Sequence, residues 1–363
     1  MEKIIYNVLE KLEKNGYEAF VVGGFVRDKI LGKKSYDVDI TTSAIPKDII
    51  SIFNEYNPRS SEYGNVLFEL GSYYFEITTY RKEYSYVKNR KPDRIEYIDD
   101  LDDDLKRRDF TINTICMDKN GKIIDKLNGK PDIKNGIIRS VGNPHSKVKE
   151  DSLRILRAIR FATILNFKID DELKSAIKEN RGLLKELSYT RKKEELTRIL
   201  THTNKKYAVE LINELELSEP LEVPAIDNAL KTNILIGIWA SITSADYAFT
   251  KTEKDEIKKV HELYNLDIYD RLNMYKYGAF TLSIVSDLLG LNTKKIIGMY
   301  DKLPIKDRSE IKIKPEEICS ILKKDPDAFI KEIYSDLEHE ILYNKLKNKN
   351  NILKKYVTNK YML

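Results

Sequence analysis

The stretch "VVGGFVRDKILGKKSYDVDITTS", residues 21–43, decides how the first part of the chain folds. Its apolar opening, continuous with Ala19 and Phe20, reads as a strand that runs into Gly23-Gly24 and then a helix. The segment from Ser35 alternates and reads as a second strand, on which Asp37 and Asp39, two residues apart, leave the same face. Two converging hard oxygen ligands suit one or two Mg²⁺ ions. Asp-x-Asp is also an ordinary feature of surface strands and turns. Gly23 and Gly24 let backbone N–H groups approach an anion where the helix begins, and Arg27 adds a fork of donors there. The plain alternative is a strand–helix turn with a local Arg27–Asp28 ion pair. The pattern is not G-x-G-x-x-G and no long βαβ unit follows, which argues against a dinucleotide fold.

Working outward, an amphipathic helix precedes this stretch at about residues 2–14. Residues 65–81, "NVLFELGSYYFEITTYR", are two alternating runs around Gly71-Ser72 and predict a hairpin. Residues 111–129 predict another, turning at Asn120-Gly121. The sheet is therefore expected to be mixed and largely antiparallel. From about residue 148 the apolar spacing becomes helical and stays so, with short connections marked by Pro or Gly. The clearest interruption lies at residues 213–228, with Pro220 and Pro224; Pro304 and Pro315 mark further breaks. The expected class is α+β, a sheet-containing first part followed by helices.

A chain of 363 residues is long enough for more than one cored unit. Apolar residues at 41% and charged residues at 33% describe packed cores under a highly charged surface, and disorder is not indicated. The net charge, 63 − 58 = +5, is too small to identify a polyanionic partner by itself. Cys116 and Cys319 stand far apart without C-x-x-C spacing, so neither a disulfide framework nor a zinc set is expected, which fits a reducing cytoplasm. The histidines are scattered singly, and no run of about 18 apolar residues predicts a membrane span.

Three further groups carry chemistry. In "DLKRRDFTINTI", residues 104–115, Arg107, Arg108 and Asp109 stand just before a segment that alternates like a strand edge. Arg108 could hold phosphates, while Asp109 better suits orienting an arginine or capping the turn than ligating metal. Glu76 is the candidate for a third carboxylate beside the aspartate pair. In "EDSLRILRAIRFA", residues 150–162, Asp151, Arg154, Arg157 and Arg160 recur every three residues, so a helix displays them along one slowly drifting ridge. Guanidinium forks suit triphosphates and base edges, and Asp151 with Arg154 offers acceptors and donors at fixed positions. An intrahelical row of ion pairs is the plain alternative.

Taken together, "GGFVRDKILG", "DVDITTS", "RRDFTIN" and "EDSLRILRAIRFA" resemble, in order and spacing, the class II tRNA nucleotidyltransferase and bacterial poly(A) polymerase family of the polymerase-β-like superfamily, specifically its CCA-adding members. The resemblance covers roughly residues 20–200, including "LSYTRKKEELTRIL". It implies a nucleotidyltransferase head (1–140), a helical neck carrying the nucleotide-selecting helix (141–205), a helical body (206–268) and a helical tail that binds tRNA (269–363). It further implies that Gly24 and Arg27 contact nucleotide phosphates, that Asp37 and Asp39 bind catalytic Mg²⁺, and that Arg108 binds nucleotide. Asp151 and Arg154 would choose cytosine or adenine without a nucleic-acid template, with Arg157 and Arg160 supporting the nucleotide. The implied substrates are CTP, ATP and tRNA, for a cytoplasmic monomer or homodimer.

The family keeps a flexible loop where "YRKEYSYVKNRKPDRIEY" stands, and "KNRKPDRI", residues 88–95, looks like a serviceable version that favours full CCA addition. The family's N-A-x-A reads Asn113-Thr114-Ile115-Cys116, which changes packing rather than chemistry. The C-terminal end resembles the family only in outline. Six lysines after Glu340, interleaved with Tyr343, Tyr356 and Tyr361, suit either a phosphate-backbone grip or a solvated tail. A poly(A) polymerase or partial A- or CC-adding enzyme of the same fold, and an RNA-binding factor that has lost catalysis, are the alternative functions.

Overall fold

The structure, a computed structural model, describes residues 3–60, 65–87 and 91–362. The chain divides into two compact units, residues 1–222 and 223–363. This boundary falls inside the body expected at residues 206–268 and coincides with none of the boundaries expected from the sequence.

The first unit opens with α1 (Lys3–Lys14), whose Ile5, Val8, Leu9 and Leu12 are buried at helical spacing. There follow β1 (Ala19–Val22), α2 (Gly24–Ile30), β2 (Asp37–Thr42), α3 (Pro46–Ile52), β3 (Arg59–Ser60), β4 (Asn65–Leu70) and β5 (Tyr73–Thr79). Next come β6 (Arg81–Val87), β7 (Lys91–Tyr97), α4 (Leu101–Lys106), β8 (Cys116–Met117), β9 (Ile123–Ile124), α5 (Gly129–Asn135) and β10 (Ile137–Ile138). The unit continues with α6 (Pro144–Glu150), α7 (Leu153–Leu165), β11 (Lys168–Ile169), α8 (Asp171–Asn180), α9 (Tyr189–Leu200) and α10 (Lys205–Glu214).

Among the described residues, seven strands form one sheet in the order β3-β4-β5-β2-β1-β8-β9. Only β2 and β5 pair in parallel; the other neighbours are antiparallel, as the sequence predicts. The predicted hairpins turn at Gly71 and at Gly121, both at positive φ. A row of stacked rings, Phe53 on Phe68 on Phe75 with centroids 5.0 and 5.3 Å apart, packs beneath the sheet.

Three local expectations are corrected. Residues Thr111–Asn113 form a 3₁₀ turn rather than a strand, because Thr111 Oγ1 donates to Asp132 Oδ2 (2.6 Å) and Thr114 Oγ1 to the Thr111 carbonyl (2.8 Å). The chain where a flexible loop was expected pairs as a hairpin of β6 and β7, while residues 88–90 of the "KNRKPDRI" reading lie outside the described residues. The helix expected to run through residue 151 is broken there. Asp151 has extended backbone angles, and its Oδ1 accepts from Leu153 N at 3.0 Å, a side-chain bond that competes with helix continuation.

The second unit is helical: α11 (Leu235–Ile242), α12 (Lys251–Tyr264), α13 (Arg271–Leu288), α14 (Thr293–Tyr300), α15 (Pro315–Leu322), α16 (Phe329–Leu342) and α17 (Asn350–Tyr361). Its core joins Val260, Leu263, Ile284, Val285, Leu337 and Leu353. Half of the basic set at the C-terminal end is engaged within this unit: Lys345, Lys354 and Lys360 pair with Glu340, Glu317 and Asp336. Tyr356 and Tyr361 both donate to Asp336 Oδ2 at 2.9 Å. No helix of the described residues is long and apolar enough to cross a membrane, and both cysteines are free.

Candidate active site

A cavity of about 700 Å³ opens in the first unit, and every predicted site residue lines it: Gly24, Arg27, Asp37, Asp39, Glu76, Arg108, Asp151, Arg154, Arg157 and Arg160. One side is the face of β2 and β5. Val38 and Ile40 are buried in the core, so the intervening Asp37 and Asp39 point the other way, and Glu76 pairs directly with Asp39 in the parallel register. Three carboxylates thus share one face, with Asn65 Nδ2 donating to Glu76.

Gly23 shapes the approach to Asp39. Its φ of +75° is accessible to glycine, and a Cβ there would lie 3.3 Å from Asp39 Oδ2. The chain then turns into α2, whose Arg27 is buried. Arg27 Nε donates to Asp28 Oδ1 (2.9 Å) and its Nη1 to Asn113 Oδ1 (2.8 Å), so the local ion pair and a place in the cavity coexist.

Arg107 and Arg108 both pair with Asp104, at 2.8 and 3.1 Å. Asp104 is fully buried and also accepts from Thr41 Oγ1, two residues beyond Asp39, at 3.0 Å. Asp109 does orient an arginine: Arg157 Nε donates to its Oδ2 at 2.7 Å.

The helical ridge differs from expectation in one respect. Asp151 stands in the break before α7, so only the arginines share the helix. The arginines are ion-paired, but not within one helix: Arg154 pairs with Glu150 (2.9 Å), Arg157 with Asp109, and Arg160 with Glu195 of α9 (2.7 Å). Arg154 also donates to the carbonyls of Lys147 and Arg107, at 2.8 and 3.0 Å. Phe161 completes this side, with Arg27, Arg157 and Arg160 at 5.3, 5.4 and 4.4 Å from its ring centroid.

The electrostatics divide the cavity. Burial, then the neighbouring Glu76 and Asp37, push the Asp39 carboxyl up to about 6, against the pull of Arg108 and Arg27. Burial opposes the charge of Asp109 as well, but Arg157 and the bond from Asn113 bring that carboxyl down to about 2. The carboxylate side is therefore short of cation and the arginine side is largely balanced.

Asp37 and Asp39 fit a hard dication: both are oxygen donors on one face, and the crowded negative charge around Asp39 is what a cation would relieve. Among the described residues, no group of three or more His, Cys, Asp and Glu side chains is gathered closely enough to hold a metal ion. The protein would thus supply only part of the coordination shell.

Sequence reasoning did not single out Asp104, Phe161, Glu195 or Arg198, which also lines the cavity. Asp104 lies in the acidic run 102–104 and Glu195 in "KKEEL", both of which read as solvated helix faces. Only the buried apolar neighbours Leu105 and Leu196 hinted otherwise.

A mixed sheet with an aspartate pair on one face, facing a cavity of about 700 Å³ lined with arginines, defines a nucleotidyltransferase. Residues 19–139 match the family "Poly A polymerase head domain", and 166–230 match "Probable RNA and SrmB- binding site of polymerase A". Residues 244–357 match a tRNA nucleotidyltransferase domain 2. The CCA-adding enzyme of Ligilactobacillus salivarius is 33% identical over 95% of this chain and 93% of its own length. That of Staphylococcus haemolyticus is 32% identical over 96% of each. The fold is that of the Bacillus stearothermophilus CCA-adding enzyme in complex with CTP, with TM-score 0.82, 24% identity, and coverage of 99% of this chain and 97% of the other. The chain belongs to the CCA-adding family of tRNA nucleotidyltransferases.

Proposed function

We propose that the protein adds CCA to the 3′ end of tRNA, using CTP twice and ATP once and releasing pyrophosphate, without a nucleic-acid template. The observation that carries this reading is the single cavity in which the Asp37–Asp39 pair faces Asp151, Arg154 and Arg157. It joins a reacting centre to groups able to read a base edge. Relatives named CCA-adding enzymes over nearly the whole chain support it.

Asp37 and Asp39 would hold Mg²⁺, with Glu76 a third carboxylate beside them. Bound there, Mg²⁺ would supply acidification of the attacking hydroxyl and neutralisation of phosphate charge. Arg27 and Arg108, each fixed by a carboxylate, orient the triphosphate and stabilise the negative charge that develops in the transferring phosphoryl group. Arg157 and Arg160 hold the nucleotide from α7. Asp151 and Arg154 present acceptors and donors to the Watson–Crick edge, taking cytosine or adenine and refusing uracil and guanine. The neck, body and tail of the proposed subdivision would hold tRNA, and the setting of such a reaction is the cytoplasm.

The test is incorporation into three RNAs: tRNA lacking CCA, tRNA ending in CC, and tRNA ending in CCA, each with CTP, ATP, both, or UTP. Completion of CCA and arrest there is expected. Long adenylate tails from ATP alone would replace this reading with poly(A) polymerase, arrest after CC or addition of A only would mark a partial enzyme, and tight tRNA binding without product a lost catalyst.

A further inference from the structure

The arginines of the cavity are not equivalent. Six of the seven are anchored to a carboxylate: Arg27 to Asp28, Arg107 and Arg108 to Asp104, Arg154 to Glu150, Arg157 to Asp109 and Arg160 to Glu195. Among the described residues Arg198 alone of the seven has no carboxylate partner. It is exposed on α9, one turn beyond Glu195, so it stands beside the pair that Glu195 makes with Arg160. Its charge is felt there, since Arg160 is shifted downward by burial first and then, against the pull of Glu195, by Arg157 and Arg198.

The pairing of the other six has a physical purpose. Guanidinium groups packed this closely repel one another, and each buried carboxylate removes that repulsion and fixes its partner's fork. Among the described residues, Arg198 is left as positive charge at the cavity wall, beside Arg160, with no carboxylate paired to it. An entering anion relieves the repulsion and takes a planar fork that matches phosphate oxygens.

We infer that Arg198 is a further positioning residue of the reaction, binding a phosphate of the substrate. The inference rests on the nucleotidyl-transfer reading above. The phosphate has two sources, the triphosphate of the incoming nucleotide and the phosphodiester at the RNA 3′ end, and the kinetics separate them.

The experiment compares wild type, Arg198→Ala and Arg198→Lys in CCA addition, varying CTP at saturating tRNA and tRNA at saturating CTP, with thermal unfolding alongside. Loss of a charge-assisted contact is expected to lower kcat/KM roughly 10- to 100-fold for the alanine variant. Arg198→Lys should recover part of it, keeping charge without the fork. A rise in KM confined to CTP assigns the triphosphate, and one confined to tRNA assigns the RNA phosphodiester. The unfolding midpoint should stay that of wild type, because no ion pair among the described residues is lost. Kinetics within twofold of wild type on both axes would overturn the inference and leave a solvated surface arginine. So would a loss of activity matched by a lowered midpoint. Inactivity of wild type itself would instead overturn the functional reading.

Discussion

Arg157 Nε donates to Asp109 Oδ2 at 2.7 Å, tying α7 to the turn that follows Arg107 and Arg108. Asp109 is 9% exposed and also accepts from Asn113 Nδ2 and from Phe110 N. Its carboxyl is brought from 3.8 to about 2. A carboxyl depressed on folding stabilises the fold above its unfolded value, and that contribution disappears as pH falls through its folded one. Asp109→Asn is therefore expected to cost about 2–3 kcal/mol at neutral pH. Urea unfolding across pH should show the gap from wild type closing between about pH 4 and pH 2. A gap that stayed constant over that range would separate Asp109 from the effect.

Asp37→Ala and Asp39→Asn should each reduce pyrophosphate release by about three orders of magnitude or more. Neither should lower the unfolding midpoint, because each removes one of three like charges from a single face. Most of the turnover surviving in Asp37→Ala would remove that residue from the reacting centre. Glu76→Gln removes the third charge, and a loss as deep as that of Asp39→Asn would assign Glu76 to the ion.

For Asp151, the readout is choice rather than rate. Asp151→Ala should relax the preference for CTP and ATP over UTP by about tenfold or more. Since Asp151 also accepts from Leu153 N, Asp151→Asn keeps an acceptor for the helix start while changing the edge offered to a base. Single-nucleotide incorporation that remains as selective as wild type in both variants would end the base-reading role.

Phe161 collects three guanidinium groups around one ring and meets Phe110 edge-on at 5.8 Å. Phe161→Leu keeps apolar bulk without the quadrupole, so the KM for CTP should rise severalfold with little change in midpoint. Phe161→Trp, a stronger partner for cations, should do less harm than leucine. Equal kinetics for leucine and wild type would show that the acids alone hold the arginines.

How much of this was legible depended on the distance over which each feature is decided. The face shared by Asp37 and Asp39 is decided within three residues by strand alternation, and the hairpin turns by Gly71 and Gly121, so both could be read directly. The helix break at Asp151 is local too, but "KEDSLR" is compatible with a continuous helix, and only the bond to Leu153 N reveals the interruption. The partners of the arginines were out of reach. Asp109 and Arg157 are 48 residues apart, and Glu195 and Arg160 are 35 apart, so their meeting is a property of packing. The same reason hid Arg198, which in "EELTRIL" looks like any polar residue on an amphipathic helix until the cavity wall is seen.

Strand β2 is hydrogen-bonded on both sides, antiparallel to β1 and in parallel to β5. A slip of one residue would put Val38 and Ile40 where the carboxylates stand and break two ladders together. The run from Leu31 to Tyr36, by contrast, lies between α2 and β2 and belongs to neither. The protein therefore tolerates changes of length unevenly: inserted residues between Gly32 and Ser35 alter a connector, whereas a single insertion between Val38 and Thr41 shifts the reading frame of the whole face. Variation in length belongs in the connector, on the Gly32 side of Ser35, which lines the cavity, and not in the strand.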